Sequence, residues 1–294
     1  IVLDHFNLSL EKGDVLGLLG PNGCGKTTSI MCILSLLKYD SGNIEVFGKK
    51  DIQNEYGIKR KIGIVPQELA VFENLNVREN IDYFCGLYVQ NKNERKRLVN
   101  EAIEFTGLQS HEKMLQKKLS GGLKRRLNIA CGISHKPELV ILDEPTVAVD
   151  AQSRKFILDG IKNLADNGAS ILYTTHYLDE AEYLCNKISI MDNGKNILTG
   201  DMQTLINGVS VKEKITVVGY IKPEIISILE NQDDVVDVEV KENQVTLNYS
   251  NDVGNIKKLI YLLDDNNVVY EEIFSKKPKL EDIFLEMTGK ELRE

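Results

Sequence analysis

An α/β fold with a mostly parallel sheet, followed by a smaller α+β domain, is what this sequence predicts, and three features carry the prediction. Residues 20–28 read Gly-Pro-Asn-Gly-Cys-Gly-Lys-Thr-Thr, directly after the apolar run Val15–Leu19 and before a helix-patterned stretch. That is the strand, loop and helix order a phosphate-cradling loop requires. Short apolar runs then alternate with helical patterns, the rhythm of parallel βαβ units. After about Gly208 the pattern changes to strand, helix, two alternating strands, helix and strand.

The elements follow in order. Residues 27–37 have the apolar spacing of a helix. Residues 139–142 and 170–173 are further buried strands, with a helix over 153–167 between them. Between Asn76 and Leu119 the spacing is helical, over 77–87, 94–106 and 112–116, so an all-helical insertion of about 76–122 is expected. Residues 187–191 and 194–199 form two strands around the Asp192-Asn193-Gly194 turn. In the tail, 215–218 is a strand and 223–230 a helix. Residues 235–240 and 244–248 alternate cleanly across Lys241-Glu242-Asn243, 256–263 is a helix and 268–273 a strand. This βαββαβ order predicts a ferredoxin-like domain, closed by a helix over 280–287. The expected division is 1–208 and 209–294.

Composition sets the bounds. The 294 residues suffice for one large and one smaller domain. No apolar stretch approaches the roughly 20 residues that cross a bilayer, so work at a membrane requires docking onto a separate membrane subunit. The formal charge of −8 lies in the tail: residues 1–200 carry 25 basic and 25 acidic side chains, residues 201–294 carry 11 and 19. Without a basic footprint, nucleic acid is not an expected partner. The five cysteines, Cys24, Cys32, Cys85, Cys131 and Cys185, form neither a metal-ligand cluster nor a disulfide framework. A reducing cytoplasm is the expected compartment. There is no charged leader before an apolar segment, and the opening at Ile1 without a methionine is read as loss of the first few residues.

The chemistry sits in four places. Backbone N–H groups of Gly20, Pro21, Asn22, Gly23, Cys24 and Gly25, proline excepted, can wrap a β-phosphate, because glycines allow close approach and unusual dihedrals. Lys26 supplies a charge to the β/γ-phosphates, Thr27 a hydroxyl to Mg²⁺, and Thr28 stands at the helix start where the dipole favours an anion. Asp143 ends the strand 139–142 and is the candidate for holding Mg²⁺, and Glu144 follows it, placed to polarise the attacking water. Ser120-Gly121-Gly122 opens a helix and forms a second anion cradle, or else Ser120 is a plain N-cap before Lys124-Arg125-Arg126. His176, behind the strand 170–173, suits an electrostatic clamp near the γ-phosphate. His111 and His135 have no such context and are read as ordinary surface or loop residues.

With these motifs in place, the chain resembles the nucleotide-binding subunit of an ATP-binding cassette (ABC) transporter, over nearly all of 1–200. The resemblance implies a P-loop NTPase cassette with an antiparallel β subdomain and a helical insertion, and ATP with Mg²⁺ as its nucleotide and metal. It makes Leu119-Ser120-Gly121-Gly122 the signature motif and assigns Gln67, after Ile64-Val65-Pro66, to the loop that senses Mg²⁺ and contacts the membrane subunit. Asp150 matches the aspartate of the loop crossing the dimer interface, and His176 the switch histidine. A second nucleotide-binding subunit, packed head to tail when ATP is bound, is implied as a partner. Residues 175–182 and the ending 280–289 resemble exporter ATPases paired with ABC-2 type transmembrane permeases, which places the chain in the cytoplasm on the inner face of the plasma membrane.

Several positions depart from the family pattern. Leu123 stands where the family usually has glutamine after the signature glycines. Val147-Ala148-Val149-Asp150 replaces the commoner small residue, leucine and aspartate. Cys24 is expected to expose its thiol to alkylation. The aromatic residue that stacks on adenine lies before the first residue of the sequence, and Phe6 is too close to the loop to replace it. Two alternatives stay open: a soluble non-transport ATPase, and a ligand-sensing rather than dimer-bracing or regulatory role for 209–294.

Overall fold

The computed structural model describes residues 2–50 and 52–289. The chain divides into two compact units, the first ending at Thr199 and the second beginning at Gly200.

The first unit contains β1 (Val15–Leu19), α1 (Lys26–Ile33), β2 (Glu45–Val46), β3 (Lys49–Lys50), α2 (Tyr56–Lys59), β4 (Ile62–Val65), α3 (Val77–Gly86), α4 (Lys92–Phe105) and α5 (Gly121–Ile133). It continues with β5 (Leu139–Asp143), α6 (Ala151–Asp166), β6 (Ser170–Thr175), α7 (Leu178–Leu184), β7 (Lys187–Asp192) and β8 (Lys195–Gly200). Six strands form one sheet in the order β4-β5-β6-β1-β7-β8, and the pairs from β4 through β7 are parallel. Alternate side chains go to opposite faces. Val15, Val140, Leu142, Ile171 and Tyr173 pack with Ile129, Ile133, Ile157 and Ile161 on one side. Leu16, Leu18, Ile141 and Leu172 pack with Ile30, Leu34, Val46 and Ile52 on the other. Burial of both faces is why these strands read as unbroken apolar runs. The separate antiparallel piece is the hairpin β2–β3, with Glu45 opposite Lys50.

The register positions the site. Leu19 lies opposite Thr175, and Asp143 opposite Thr174, so the chain leaves β1, β5 and β6 at one sheet edge. Residues 20–25, Glu144 and His176 therefore emerge together, at the carboxyl ends of parallel strands.

Helix α5 belongs to two cores. Ile129 and Ile133 face the sheet, whereas Leu127, Ala130 and Cys131 pack with α3 and α4 through Val77, Ile81, Cys85, Leu98, Val99 and Ile103. The expected third helix at 112–116 is absent. Short 3₁₀ turns form at Gln109–His111 and Gln116–Lys118 instead. The intervening carbonyls are otherwise engaged: Glu112 and Met114 accept from the Arg78 and Val77 amides at 3.0 and 3.1 Å. They satisfy first-turn donors of α3 that its own helix leaves open, beside the Asn76–Glu79 capping box.

Helix α1 stops at Ile33 rather than continuing to 37. Ser35 turns to φ 55°, and the amides of Leu36 and Leu37 both return to the Met31 carbonyl. Leu36 is 72% exposed, so the apolar run past Leu34 offers no buried stripe to extend the helix. The Asn193-Gly194 turn between β7 and β8 has φ of 47° and 78°, the double left-handed conformation of a tight hairpin.

The second unit contains α8 (Met202–Asn207), β9 (Glu213–Val218), α9 (Pro223–Glu230), β10 (Val235–Lys241), β11 (Gln244–Tyr249), α10 (Asn255–Asp265), β12 (Glu272–Lys276) and α11 (Leu280–Thr288). The antiparallel sheet has the order β10-β11-β9-β12, the ferredoxin-like arrangement. Ile215, Val217, Val245, Leu247 and Tyr249 face Leu229, Leu259 and Leu263 in its core. The last strand begins four residues later than the alternation predicts. The Val268 amide still closes α10 on Leu263 O, Asn267 has φ 51°, and ladder pairing with β9 starts only at Glu272. Helix α8, capped by Asp201 through the Thr204 amide at 2.8 Å, has no counterpart among the predicted elements.

Candidate active site

Three side chains converge on one carboxylate. Glu144 Oε1 lies 3.4 Å from Lys26 Nζ and 3.3 Å from His176 Nδ1, the latter at ion-pair distance without hydrogen-bond alignment. Glu144 Oε2 accepts from Gln67 Nε2 at 3.1 Å. Beside it, Asp143 Oδ2 accepts from Thr27 Oγ1 at 2.8 Å, and Oδ1 from Thr174 Oγ1 at 2.6 Å. Lys26, Asp143 and Glu144 are each 6% exposed. Side chains from the start of α1, the loop after β4, the end of β5, the end of β6 and the loop after it thus meet, although they run from position 26 to position 176 of the sequence.

The backbone makes this meeting possible. Glu144 has φ 46°, a left-handed conformation that costs a non-glycine residue roughly 1–3 kcal/mol. Its amide bonds Thr174 O at 3.2 Å and Thr174 Oγ1 at 3.1 Å, which holds the chain in that turn. In the phosphate loop Gly23 and Gly25 have φ of 81° and 113°, and Lys26 Nζ donates to Gly20 O at 2.7 Å and Pro21 O at 3.3 Å. A Cβ on Gly20 would lie 2.3 Å from the Met191 carbonyl. Asn22 and Gly23 are exposed, and Thr27 and Thr28 open α1.

Cys24 departs from expectation. Its thiol is buried in the core beneath the loop, and desolvation pushes its pKa up, which makes it a poor target for alkylation. His135 is likewise no plain surface residue. Its ring stacks on Tyr88 at 3.9 Å and Nε2 bonds Ile62 O at 3.2 Å, with burial holding its pKa down.

Ser120, Gly121, Gly122 and Asp150 form a second locus, outside the hydrogen bonds and ion pairs described for Glu144. Ser120 caps α5, accepting from the Leu123 amide at 3.4 Å, so the capping alternative holds within the chain. Ser120 and Gly121 are exposed. Asp150 caps α6, accepting from the Ser153 amide at 2.9 Å, a bond that holds its carboxyl below the usual range. Gly122 packs against this cap: a Cβ there would lie 2.4 Å from Ser153 Oγ and 3.0 Å from Asp150 Oδ2.

Three contributors were missed in the sequence. Thr174 bridges Asp143 and Glu144, and its signal was a polar pair ending a buried strand. Arg125 and Asn128, three apart on α5, are buried and hold the loop of Gln67 by its backbone. Arg125 Nη1 donates to Gln67 O at 2.8 Å and Pro66 O at 3.2 Å. Asn128 donates to Pro66 O at 3.2 Å and accepts from the Ala70 amide at 3.0 Å. Polar residues on an otherwise apolar helical face were the available sign.

The donor set suits a nucleotide with magnesium. A glycine cradle, a helix start and a buried lysine favour phosphate. Thr27 and Asp143 offer one hydroxyl and one carboxylate, and no cluster of three or more His, Cys, Asp or Glu able to hold a metal exists among the described residues. So sparse a set matches an ion that keeps waters and shares phosphate oxygens.

This fold and this site define a P-loop nucleotide-binding protein of the cassette class. The ABC transporter family profile matches residues 3–147, and the chain belongs to that family as an ATP-binding subunit. It is 38% identical to the linearmycin resistance ATP-binding protein LnrL of Bacillus subtilis (strain 168), over 100% of this chain and 95% of that one. It is 30% identical to the Nod factor export ATP-binding protein I of Sinorhizobium fredii (strain NBRC 101917 / NGR234), over 100% of this chain and 83% of that one. Among solved structures, the ATP-binding subunit of an ABC transporter superposes with a TM-score of 0.65 at 25% identity, covering 70% of this chain and 86% of its own. The dimeric cassette MJ0796 gives 0.63 at 25% identity, covering 68% and 90%.

Proposed function

We propose that this subunit hydrolyses Mg-ATP within a head-to-tail dimer of nucleotide-binding subunits and so powers export through a separate ABC-2 type permease. The observation that carries the hydrolytic part is the convergence of Lys26, Gln67 and His176 on the buried carboxylate of Glu144. Its left-handed backbone, fixed by Thr174, aims that carboxylate at the phosphate loop. Glu144 polarises the attacking water, Gln67 and His176 orient it, and Lys26 offsets charge building on the phosphoryl oxygens. Thr27, Asp143 and Gln67 are the groups that would hold Mg²⁺, which when bound neutralises phosphate charge.

The exposed Ser120 and Gly121, set apart from Glu144, support a role across a subunit interface, with Asp150 beside them. Relatives named for resistance and export support the transport role. No helix among the described residues is long and apolar enough to cross a membrane, so the reading needs a permease, and places the subunit on the cytoplasmic face of the plasma membrane. The coupling surface is the loop of Gln67 together with α3, where Leu69, Phe72, Tyr83 and Leu87 are 40%, 45%, 48% and 57% exposed.

Glu144→Gln tests the reading. It should retain Mg-ATP binding, lower turnover by about 10²–10⁴, and trap an ATP-dependent dimer visible by light scattering. Wild-type turnover would remove Glu144 from its role. A mass unchanged by ATP at saturating nucleotide would remove the dimer.

A further inference from the structure

We propose that Glu180 is a positioning residue for hydrolysis, a buried clasp joining the segment after Glu144 to the segment that carries His176. Glu180 lies at the start of α7, is 1% exposed, and touches none of the groups assigned to ATP. Its Oε2 nevertheless accepts three hydroxyl hydrogen bonds, from Tyr173 at 2.7 Å, Thr146 at 2.9 Å and Thr175 at 3.0 Å. These donors come from different places. Thr146 stands two residues after Glu144, Tyr173 lies in β6, and Thr175 immediately precedes His176.

Thr175 extends the clasp. Its Oγ1 also accepts from the Tyr177 amide at 2.9 Å, so the backbone is pinned on both sides of His176. Glu180 Oε1 faces Arg154 Nε at 3.5 Å, and the Arg154 guanidinium lies 4.4 Å from the Tyr177 ring centre. That ring is in turn 4.2 Å from the His176 imidazole. Glu180 therefore bears on His176 through its backbone by Thr175 and against its ring by Arg154 and Tyr177.

A carboxylate is the group this geometry calls for. It is acceptor-only, so all three hydroxyls donate inward, and Thr175 keeps a lone pair for the Tyr177 amide. Burial together with the Glu180 charge raises the Tyr173 phenol far above its ordinary range, so it remains a donor. Burying a charge is costly unless it is satisfied. One oxygen shared by three hydroxyls gives a stiff junction between two loops, and displacing reacting groups by about 1 Å can lower a rate about 10²-fold.

The inference rests on the hydrolytic reading of Glu144 and His176, and the test separates the two. In the full chain, Glu180→Gln keeps the shape but turns an amide toward Arg154. It should lower kcat by about 10- to 100-fold while Kd for Mg-ATP and KM stay within about twofold. Thr175→Val removes the link nearest His176 with little threat to folding, and should give the same split. Hydrolysis is followed with γ-labelled ATP under single turnover, so that slow variants are read. On a His176→Ala background, Glu180→Gln should cost less than one third of its effect in the wild type, because the positioned group is gone. Wild-type kcat in both Glu180→Gln and Thr175→Val, nucleotide affinity falling in step with kcat, or an undiminished effect on the His176→Ala background would each overturn the clasp. If His176→Ala hydrolyses ATP normally, the reading of His176 fails and the clasp with it. If it does not, and both Glu180→Gln and Thr175→Val turn over normally, the clasp alone fails.

Discussion

Gly122→Ala tests whether the signature segment and the Asp150 cap are one packed unit. An added methyl carbon would stand 2.4 Å from Ser153 Oγ, 2.8 Å from Ser153 Cβ and 3.0 Å from Asp150 Oδ2. Ordinary contact needs about 3.5–4.0 Å. A rotamer change can move the hydroxyl, but Ser153 Cβ is fixed to the first turn of α6, so the ends of α5 and α6 must separate. Forced separation of this kind costs about 1–3 kcal/mol, which for a unit of this size lowers Tm by about 2–12 °C. Gly121→Ala is the control, because the nearest atom to its Cβ, the Ala148 carbonyl oxygen, is 3.9 Å away. Gly121→Ala should melt with the wild type, whereas Gly122→Ala melts lower. Calorimetry of the purified chain reads both. A Gly122→Ala melting point equal to that of Gly121→Ala would refute the packing argument, and would leave both glycines to be explained by the nucleotide alone.

Further outcomes follow from the same geometry. Cys24, Cys85, Cys131 and Cys185 all have thiol pKa values raised by burial, so the native chain keeps protons that the unfolded chain sheds above about pH 8.5. Stability is therefore full below that value and falls as pH rises beyond it; a urea midpoint that rises between pH 8 and 10 would contradict this. Under native conditions at pH 7.5, Cys24 should resist iodoacetamide over hours and react at once in urea, as peptide mapping would record. Gln67→Ala, in membranes holding the permease, should reduce transport and permease-stimulated hydrolysis more than nucleotide binding. Asn128→Ala, which frees the Ala70 amide and removes one of the two bonds to Pro66 O but leaves Arg125 on Pro66 and Gln67, should blunt the stimulation with basal hydrolysis within about threefold; equal stimulation would separate α5 from the coupling loop.

The site was legible where chemistry and order along the chain coincide. Gly20 to Thr28, Asp143 and Glu144 could be picked out as candidates because a phosphate loop follows a strand and this acidic pair ends one, and the structure brings them to one sheet edge. His176 was reached only through their company. What stayed hidden is what three-dimensional register creates. Nothing in Thr174 announces a bridge between Asp143 and Glu144; the bridge exists because β6 lies beside β5 with Asp143 opposite Thr174. Cys24 misled for a related reason. Loop residues are usually accessible, yet the tight turn of this loop drives the side chain inward against Leu18 and Met191. The helix expected at 112–116 failed because its carbonyls serve the start of α3, a tertiary demand with no local sign.

Arg125 and Asn128 carry that argument furthest. On pattern alone they spoil the apolar face of α5, and local reasoning counts a buried guanidinium as a defect. The structure gives both a partner in the loop of Gln67, with four hydrogen bonds to Pro66, Gln67 and Ala70. The same helix begins at the exposed signature residues and packs on both the sheet and the helical insertion. A displacement at Ser120 therefore has a rigid route to Gln67 and from there to Glu144 Oε2. Such a route amounts to coupling only if the two ends hold different free energies in the two states. Asn128→Ala weakens the middle of the route without touching either end. A loss of permease stimulation in that variant, with Mg-ATP affinity intact, is the result the route requires.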